Sequence, residues 1–247
     1  MALEGVLAVE WDAPANVGAL MSTRAGGVSA APWASLNLGI AVGDDAAAVA
    51  ENRRRFAAAT GAVPVWLRQV HGARVVPLGR DDDVAADAAW TDEPGLACVI
   101  QVADCLPVLL ARRDGRAVAA AHVGWRGLAG GVIENALSGM CEGSGCTPQD
   151  VVAWLGPCIG PRQFEVGADV LAAFPDDGTD FVSRPRPDGS PRWLADLPAL
   201  ARKRLARAGV QHVGGGGWCT VEDPSRFFSF RRDGVTGRLA AAVWRRG

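Results

Sequence analysis

Tyrosine is absent from this 247-residue chain, and histidine occurs only three times, at His71, His122 and His212. No phenolic hydroxyl can take part in its chemistry, and imidazole chemistry is confined to three positions. A strong excess of either charge is also lacking: 25 Lys and Arg against 27 Asp and Glu give a formal net charge of -2. That balance offers no basic face of the kind nucleic acid requires. Long apolar runs are missing too, since the most apolar region, residues 95–111, is interrupted by Gln101, Asp104 and Pro107 and falls short of a membrane span. The stretch MALEGVLAVEWDAPANVG has neither a basic head nor a long apolar segment, and its Glu4, Glu10 and Asp12 argue against a transit peptide. A cytoplasmic protein acting on small molecules, without membrane or nucleic-acid partners, is expected. Six cysteines are too dilute for a disulfide scaffold in a chain of this length, so each is weighed singly as thiol or metal ligand.

What is present is about half apolar residue types, enough for a substantial core. The segment GDDAAAVAENRRRFAAATGA predicts a helix, capped by Asp44 or Asp45 and stopped at Gly61. PRWLADLPALARKRLARAG predicts another that closes at Gly209, with Pro198 in its first turn or at a kink. Short apolar runs at 96–102, 106–111, 117–123, 151–155 and 239–244 have strand length. RPRPDGSPR at 184–192 reads as an exposed loop. Arg202-Lys203-Arg204 and Arg245-Arg246 read as solvated clusters, and the GGGG at 214–217 lacks the spacing of a phosphate loop. No repeat or long linker divides the chain, so a single mixed α and β domain is expected over 1–247.

Asp114-Gly115 lies between two apolar runs and predicts a two-residue hairpin turn. Counting outward pairs Arg113 with Arg116 and brings Pro107 opposite His122. Alternation then puts Cys105 on the face of His122, one diagonal step away at about 7 to 8 Å. A thiolate and an imidazole so placed can share one metal ion, provided the register holds, because a slip of one residue separates them. His71 in WLRQVHGARVV offers a third donor, with Gly72 expected to let the chain turn behind it; His212 is the competitor. Two His and one Cys with an open fourth position suit catalytic zinc.

These residues sit within a longer pattern: STRAGGVS (22–29), SLNLG (35–39), VGDD (42–45), RQVHG (68–72), ADCLPVLL (103–110), AAHVGWRG (120–127), LGPCIGP (155–161), FEVG (164–167) and FFSFRRDGVTGR (227–238). The ordered set resembles the YfiH-type family, once called multicopper polyphenol oxidases or laccases and now described as zinc-dependent purine nucleoside phosphorylases with adenosine deaminase activity. The resemblance implies an α+β fold, a layered sandwich of mixed β-sheets flanked by helices. It implies zinc on His71, Cys105 and His122, with purine nucleosides (adenosine, inosine, guanosine, methylthioadenosine) and phosphate as substrates. Phe164 and Phe230 stand where the family commonly has tyrosine, so no phenol acts at those positions. The family's extra cysteines near GPRQFEVG are missing, which leaves Cys158 without near neighbours and structural.

Arg24, Asn37 and Arg231 are the expected substrate or phosphate contacts, the arginines because a guanidinium fork matches phosphate oxygens. Asp104, adjacent to Cys105, is a candidate general acid or base, although alternation turns it from the metal face towards a structural hydrogen bond. Three histidines cannot build a multicopper centre, and copper is expected only as an adventitious substitute in the same three-donor site. Two other enzymatic readings use these residues: a peptidoglycan-precursor editing hydrolase, and a Cys/His hydrolase with Cys105 as nucleophile. A zinc-stabilised binding module would want a fourth protein ligand. Cys141 and Cys146 read as ordinary thiols at a helix end, or a small metal site of their own, and a monomer is expected.

Overall fold

Alternating apolar residues on both faces of its strands give this chain two sheets that each need cover on two sides. In the computed structural model, which describes residues 4–79 and 85–247, that requirement produces four layers. One sheet has the order β1 (Val6–Leu7), β2 (Val17–Ser22), β14 (Leu239–Arg245), β6 (Leu96–Val102) and β3 (Val63–Trp66). The other runs β13 (His212–Gly215), β9 (Val151–Leu155), β7 (Leu106–Arg112), β8 (Val118–Val123), β5 (Ala88–Thr91) and β4 (Val75–Pro77). Between them lies an apolar layer in which Met21, Ile100 and Ala241 face Leu109, Ala120 and Trp154.

The outer face of the six-stranded sheet is covered by α3 (Val132–Ser144) and α5 (Leu197–Ala208), which bury Leu110, Ala119 and Ala121. A small sheet of β10 (Glu165–Val166), β12 (Trp193–Ala195) and β11 (Phe181–Ser183), with α4 (Ala168–Ala172), extends this cover. On the far side α1 (Ala46–Thr60) places Phe56 over Leu20, Val99 and Ala242. The expected α+β layered sandwich is thus present, and no helix is long and apolar enough to cross a membrane among the described residues. The first three residues of the N-terminal stretch read for a leader lie outside them.

Local chemistry explains the elements. Asp45 caps α1 by accepting from Ala48 N at 2.8 Å, and Gly61 closes it at φ 66°. Asp44 does not cap; it accepts from Ser29 and Asn37 instead. Pro198 sits in the first turn of α5, where its missing N–H costs nothing, behind the Asp196 cap. The helix expected from 191 starts only at Leu197, because Trp193–Ala195 pairs as β12 between β10 and β11. The 184–192 loop joins β11 to β12.

The register read around Asp114-Gly115 holds: Pro107 lies opposite His122, and the ladder ends at Ala111 opposite Val118. The turn itself is wider than two residues. Arg112 N donates to Ala117 O, Gly115 N donates to Arg112 O, and only Gly115 takes a positive φ. Asp114 instead accepts from Arg116 N and from the Arg112 guanidinium.

Candidate metal centre

His122 is the last inward-facing residue of β8, on the face shared by Val118 and Ala120, and is almost fully buried. Cys105 precedes β7 by one residue, two before Pro107, and reaches the same end of the sheet gap. His71 arrives from the other side, on the segment that leaves β3 and leads to β4. Gln69 locks that segment to β6: its amide donates to Gln101 O at 2.9 Å and accepts from Gln101 N at 2.8 Å. The donor atoms of His71, Cys105 and His122 all lie within 4.8 Å of one another. Their two rings meet edge to face, with centroids 4.7 Å apart.

Asp87, which the sequence reading passed over, organises this centre. Fully buried at the start of β5, it meets His122 Nδ1 at 2.7 Å. It also accepts from the backbone N–H groups of Val70, His71 and Gly72 at 3.1, 2.9 and 2.7 Å. One carboxylate therefore orients the His122 ring, leaving Nε2 for a ligand, and pins the loop that carries His71. The sharp turn falls on His71 itself, at φ 61°, rather than on Gly72. The sequence signal for Asp87 was one acidic residue inside the apolar run VAADAAW.

Charge follows from this geometry. Burial alone would raise the Cys105 thiol, but hydrogen bonds from His122 and His71 outweigh it and bring its pKa down to about 6. Burial alone would lower His122, yet Asp87 and Cys105 raise it to about 9. Burial likewise opposes ionisation of Asp87, and its bonds to His122 and Gly72 hold it below the usual carboxylate range. A thiolate and an imidazolium result in the metal-free state. Two imidazoles and a soft thiolate within bonding reach of one point form a donor set that fits zinc with a fourth position left open towards the cavity.

The donors open onto a cavity of about 820 Å³ lined also by Gln69, Gln101, Asp104, Phe164, Phe230 and several arginines. Gly124 forms part of the wall beside them: a Cβ there would lie 3.1 Å from Cys105 Sγ and 3.3 Å from the His71 ring. Its φ of -78° is ordinary, so space rather than conformation calls for glycine. It also caps the short helix α2 (Trp125–Ala129).

The other expected site residues divide. Arg231 lines the cavity, its guanidinium on Glu165 O at 3.1 Å and over Phe164. It opens the final short helix, α6 (Phe230–Asp233), just after Phe230. Asp104 also lines the cavity; it lies before β7 at φ 91°, where strand alternation does not apply, and its oxygens accept from Thr220 Oγ1 and Arg231 N, both at 2.6 Å. Arg24 and Asn37 are not brought to the cavity wall. Arg24 is spent on Ala34 O, Pro224 O and the face of Phe228. Asn37 is fully buried and bonds Gly39, Asp44 and Arg238 N. Arg53 and Arg238, which the sequence did not single out, do line the cavity.

The remaining His and Cys residues stand apart. His212 is exposed and meets Asp12 at 3.2 Å. Cys141 and Cys146 lie with sulfurs 3.1 Å apart at the end of α3, and no further His, Cys or acidic residue joins them in a metal cluster among the described residues. Cys158 does have a neighbour, distant in sequence: its backbone forms an isolated parallel β-bridge with that of Cys219, both thiols are free, and burial pushes the Cys158 thiol well up.

Comparisons agree with this architecture. Residues 18–246 match the family described as multi-copper polyphenol oxidoreductase laccase. A purine nucleoside phosphorylase of Pseudomonas aeruginosa is 49% identical over 239 residues, spanning 96% of this chain and 97% of the relative. The purine nucleoside phosphorylase YfiH of Escherichia coli is 46% identical, covering 95% and 96%. The crystal structure of a Neisseria meningitidis protein superposes with a TM-score of 0.91 at 46% identity, over 99% of this chain and 100% of that one.

Proposed function

The chain belongs to the multi-copper polyphenol oxidoreductase laccase family, and from that membership and its open His–Cys–His centre we propose that it is a zinc-dependent purine nucleoside phosphorylase with adenosine deaminase activity. The observation that carries the reading is the three-donor cluster on the wall of a cavity large enough for a nucleoside and an anion together. His71, Cys105 and His122 would hold the ion; once bound, it supplies Lewis acidity and an acidified water, which loss of a purine base and attack on C6 of adenine both call for.

In phosphorolysis a phosphate oxygen forms a bond to the anomeric carbon, the bond to the base nitrogen breaks, and its electron pair leaves with the base, which gains a proton. The protein's part is to hold the two reactants in line and exclude bulk water. Phe164 and Phe230 offer apolar faces at the cavity for a purine, and Gln69 and Gln101, bonded to each other, also line it. A multicopper oxidation is disfavoured, since the third histidine is exposed and remote from the other two.

Metal-quantified protein is expected to carry about one zinc per chain and to release hypoxanthine from inosine only when both metal and phosphate are present. Base release indifferent to phosphate would exclude phosphorolysis.

One geometry favours a second reading. Cys105, His122 and Asp87 stand in the order thiol, imidazole, carboxylate, with the thiol pKa brought down to about 6, as a cysteine hydrolase requires. Catalysis that persists in chelated protein and is abolished by alkylating Cys105 would establish that reading over the zinc one.

A further inference from the structure

Arg53 and Arg238 meet at one short segment of chain. Arg53, on α1, donates from Nε to Leu38 O at 2.9 Å and sits over Trp66, with its guanidinium carbon 4.0 Å from the ring centroid. Arg238 leads into β14; its backbone carbonyl accepts from Leu38 N, and its side chain packs against Gly39, where a Cβ would come within 2.6 Å of Cγ. Both line the cavity that holds the three metal donors. Neither guanidinium is paired with a carboxylate among the described residues. Among the described residues the only side-chain oxygen bonded to Arg53 is Gln101 Oε1, at 3.5 Å, and the Arg238 guanidinium bonds only the carbonyls of Thr236 and Gly237.

Two half-buried cations held by carbonyls and aromatic faces, with no carboxylate bonded to either among the described residues, are costly unless an anion joins them. Burial lowers the pKa of both, that of Arg53 to about 10, and Arg238 is near enough to Cys105 and Asp104 to feel their charge. The neighbouring arginines of the same helix behave otherwise: Arg54, exposed, and Arg55, half-buried, both pair with Glu51. We propose that Arg53 and Arg238 form the oxyanion subsite of this cavity and that its ligand is inorganic phosphate. The co-substrate role of that phosphate rests on the phosphorylase reading; the subsite itself does not.

The test uses the full-length, zinc-loaded protein, phosphate binding by equilibrium dialysis, and inosine phosphorolysis at varied phosphate. Arg53→Gln and Arg238→Gln are each expected to weaken phosphate binding, and to raise the KM for phosphate, by about tenfold or more, the loss of a charge-assisted hydrogen bond. The KM for inosine should move less than about twofold. Arg53→Lys, which keeps the charge and loses the fork, should fall between, while Arg54→Gln on the exposed face should match the parent. Phosphate binding that is absent from the parent, unchanged in both glutamine variants, or replaced by binding of inosine 5′-phosphate alone overturns the subsite. Arginine-dependent phosphate binding without phosphorolysis upholds the subsite and removes the phosphorylase reading.

Discussion

Asp87 serves two ligand-bearing segments at once, accepting from three successive N–H groups around His71 while holding the ring of His122. Asp87→Asn keeps the size but loses the charge and presents an amide donor to groups that are themselves donors. Zinc affinity, measured against a competing chelator, is expected to fall about 10- to 100-fold; unchanged affinity would show that the carboxylate does not orient the ligands. At Cys105 the lowered pKa fixes the sign of a pH dependence. In chelated protein the thiolate persists down to about pH 6, so alkylation by iodoacetamide should already be near its maximum at pH 7 and fall as pH drops below 6. An ordinary thiol would show that midpoint near 8.5. Added zinc should protect, because the alkylated atom is the proposed ligand. His71 and His122 were legible in the sequence because histidine is scarce, and Cys105 because the hairpin register sets it beside His122. Asp87 was not, since its partners lie 15 to 35 positions away and only the folded chain brings them together.

At the level of elements, the pairing of β7 with β8 was legible while the turn that joins them was not. Register follows from two apolar runs equidistant from the Asp114-Gly115 pair, whose Gly takes φ 70°, and it survives whether the loop is two residues or wider. Turn width depends on Asp114 bonding Arg116 N and Arg112, a choice among competing side-chain contacts that propensity does not decide. β12 escaped detection for the same reason: Trp193–Ala195 continues a helix-like pattern, and only pairing with β10 and β11 makes it a strand. The junction of β8 and α2 gives a sharper test. Gly124→Ala adds a methyl at an ordinary φ, so the metal-free fold should keep its Tm to within about 2 °C, as for substitutions away from strained sites. The methyl presses on Cys105 Sγ and His71, so zinc affinity should drop. A large loss of Tm with normal zinc affinity would mean the glycine serves the backbone turn and not the donors.

On the scale of the molecule, the metal donors join two sheets at one end of the sandwich, yet the buried members of the three apolar clusters include none of them, and only Cys105 packs against the edge of the inner one. Small residues in β8 and β14 let both faces of each sheet be covered closely, a pattern visible in the sequence as alanine runs between valines. Which layer each face would meet was not visible, because alanine fits either side. This division of labour separates the centre from a structural zinc site, in which the ion supplies the folding energy outright. Chelated protein should therefore still unfold in a single cooperative transition. Zinc at a hundredfold excess over its Kd stabilises the native state by about 2.7 kcal/mol. For a chain of this length that corresponds to a rise in Tm of roughly 5 to 10 °C. Scanning calorimetry of chelated and zinc-loaded protein separates the cases: loss of the cooperative transition on chelation would assign the ion to the fold, and an unchanged Tm would deny binding at the three donors.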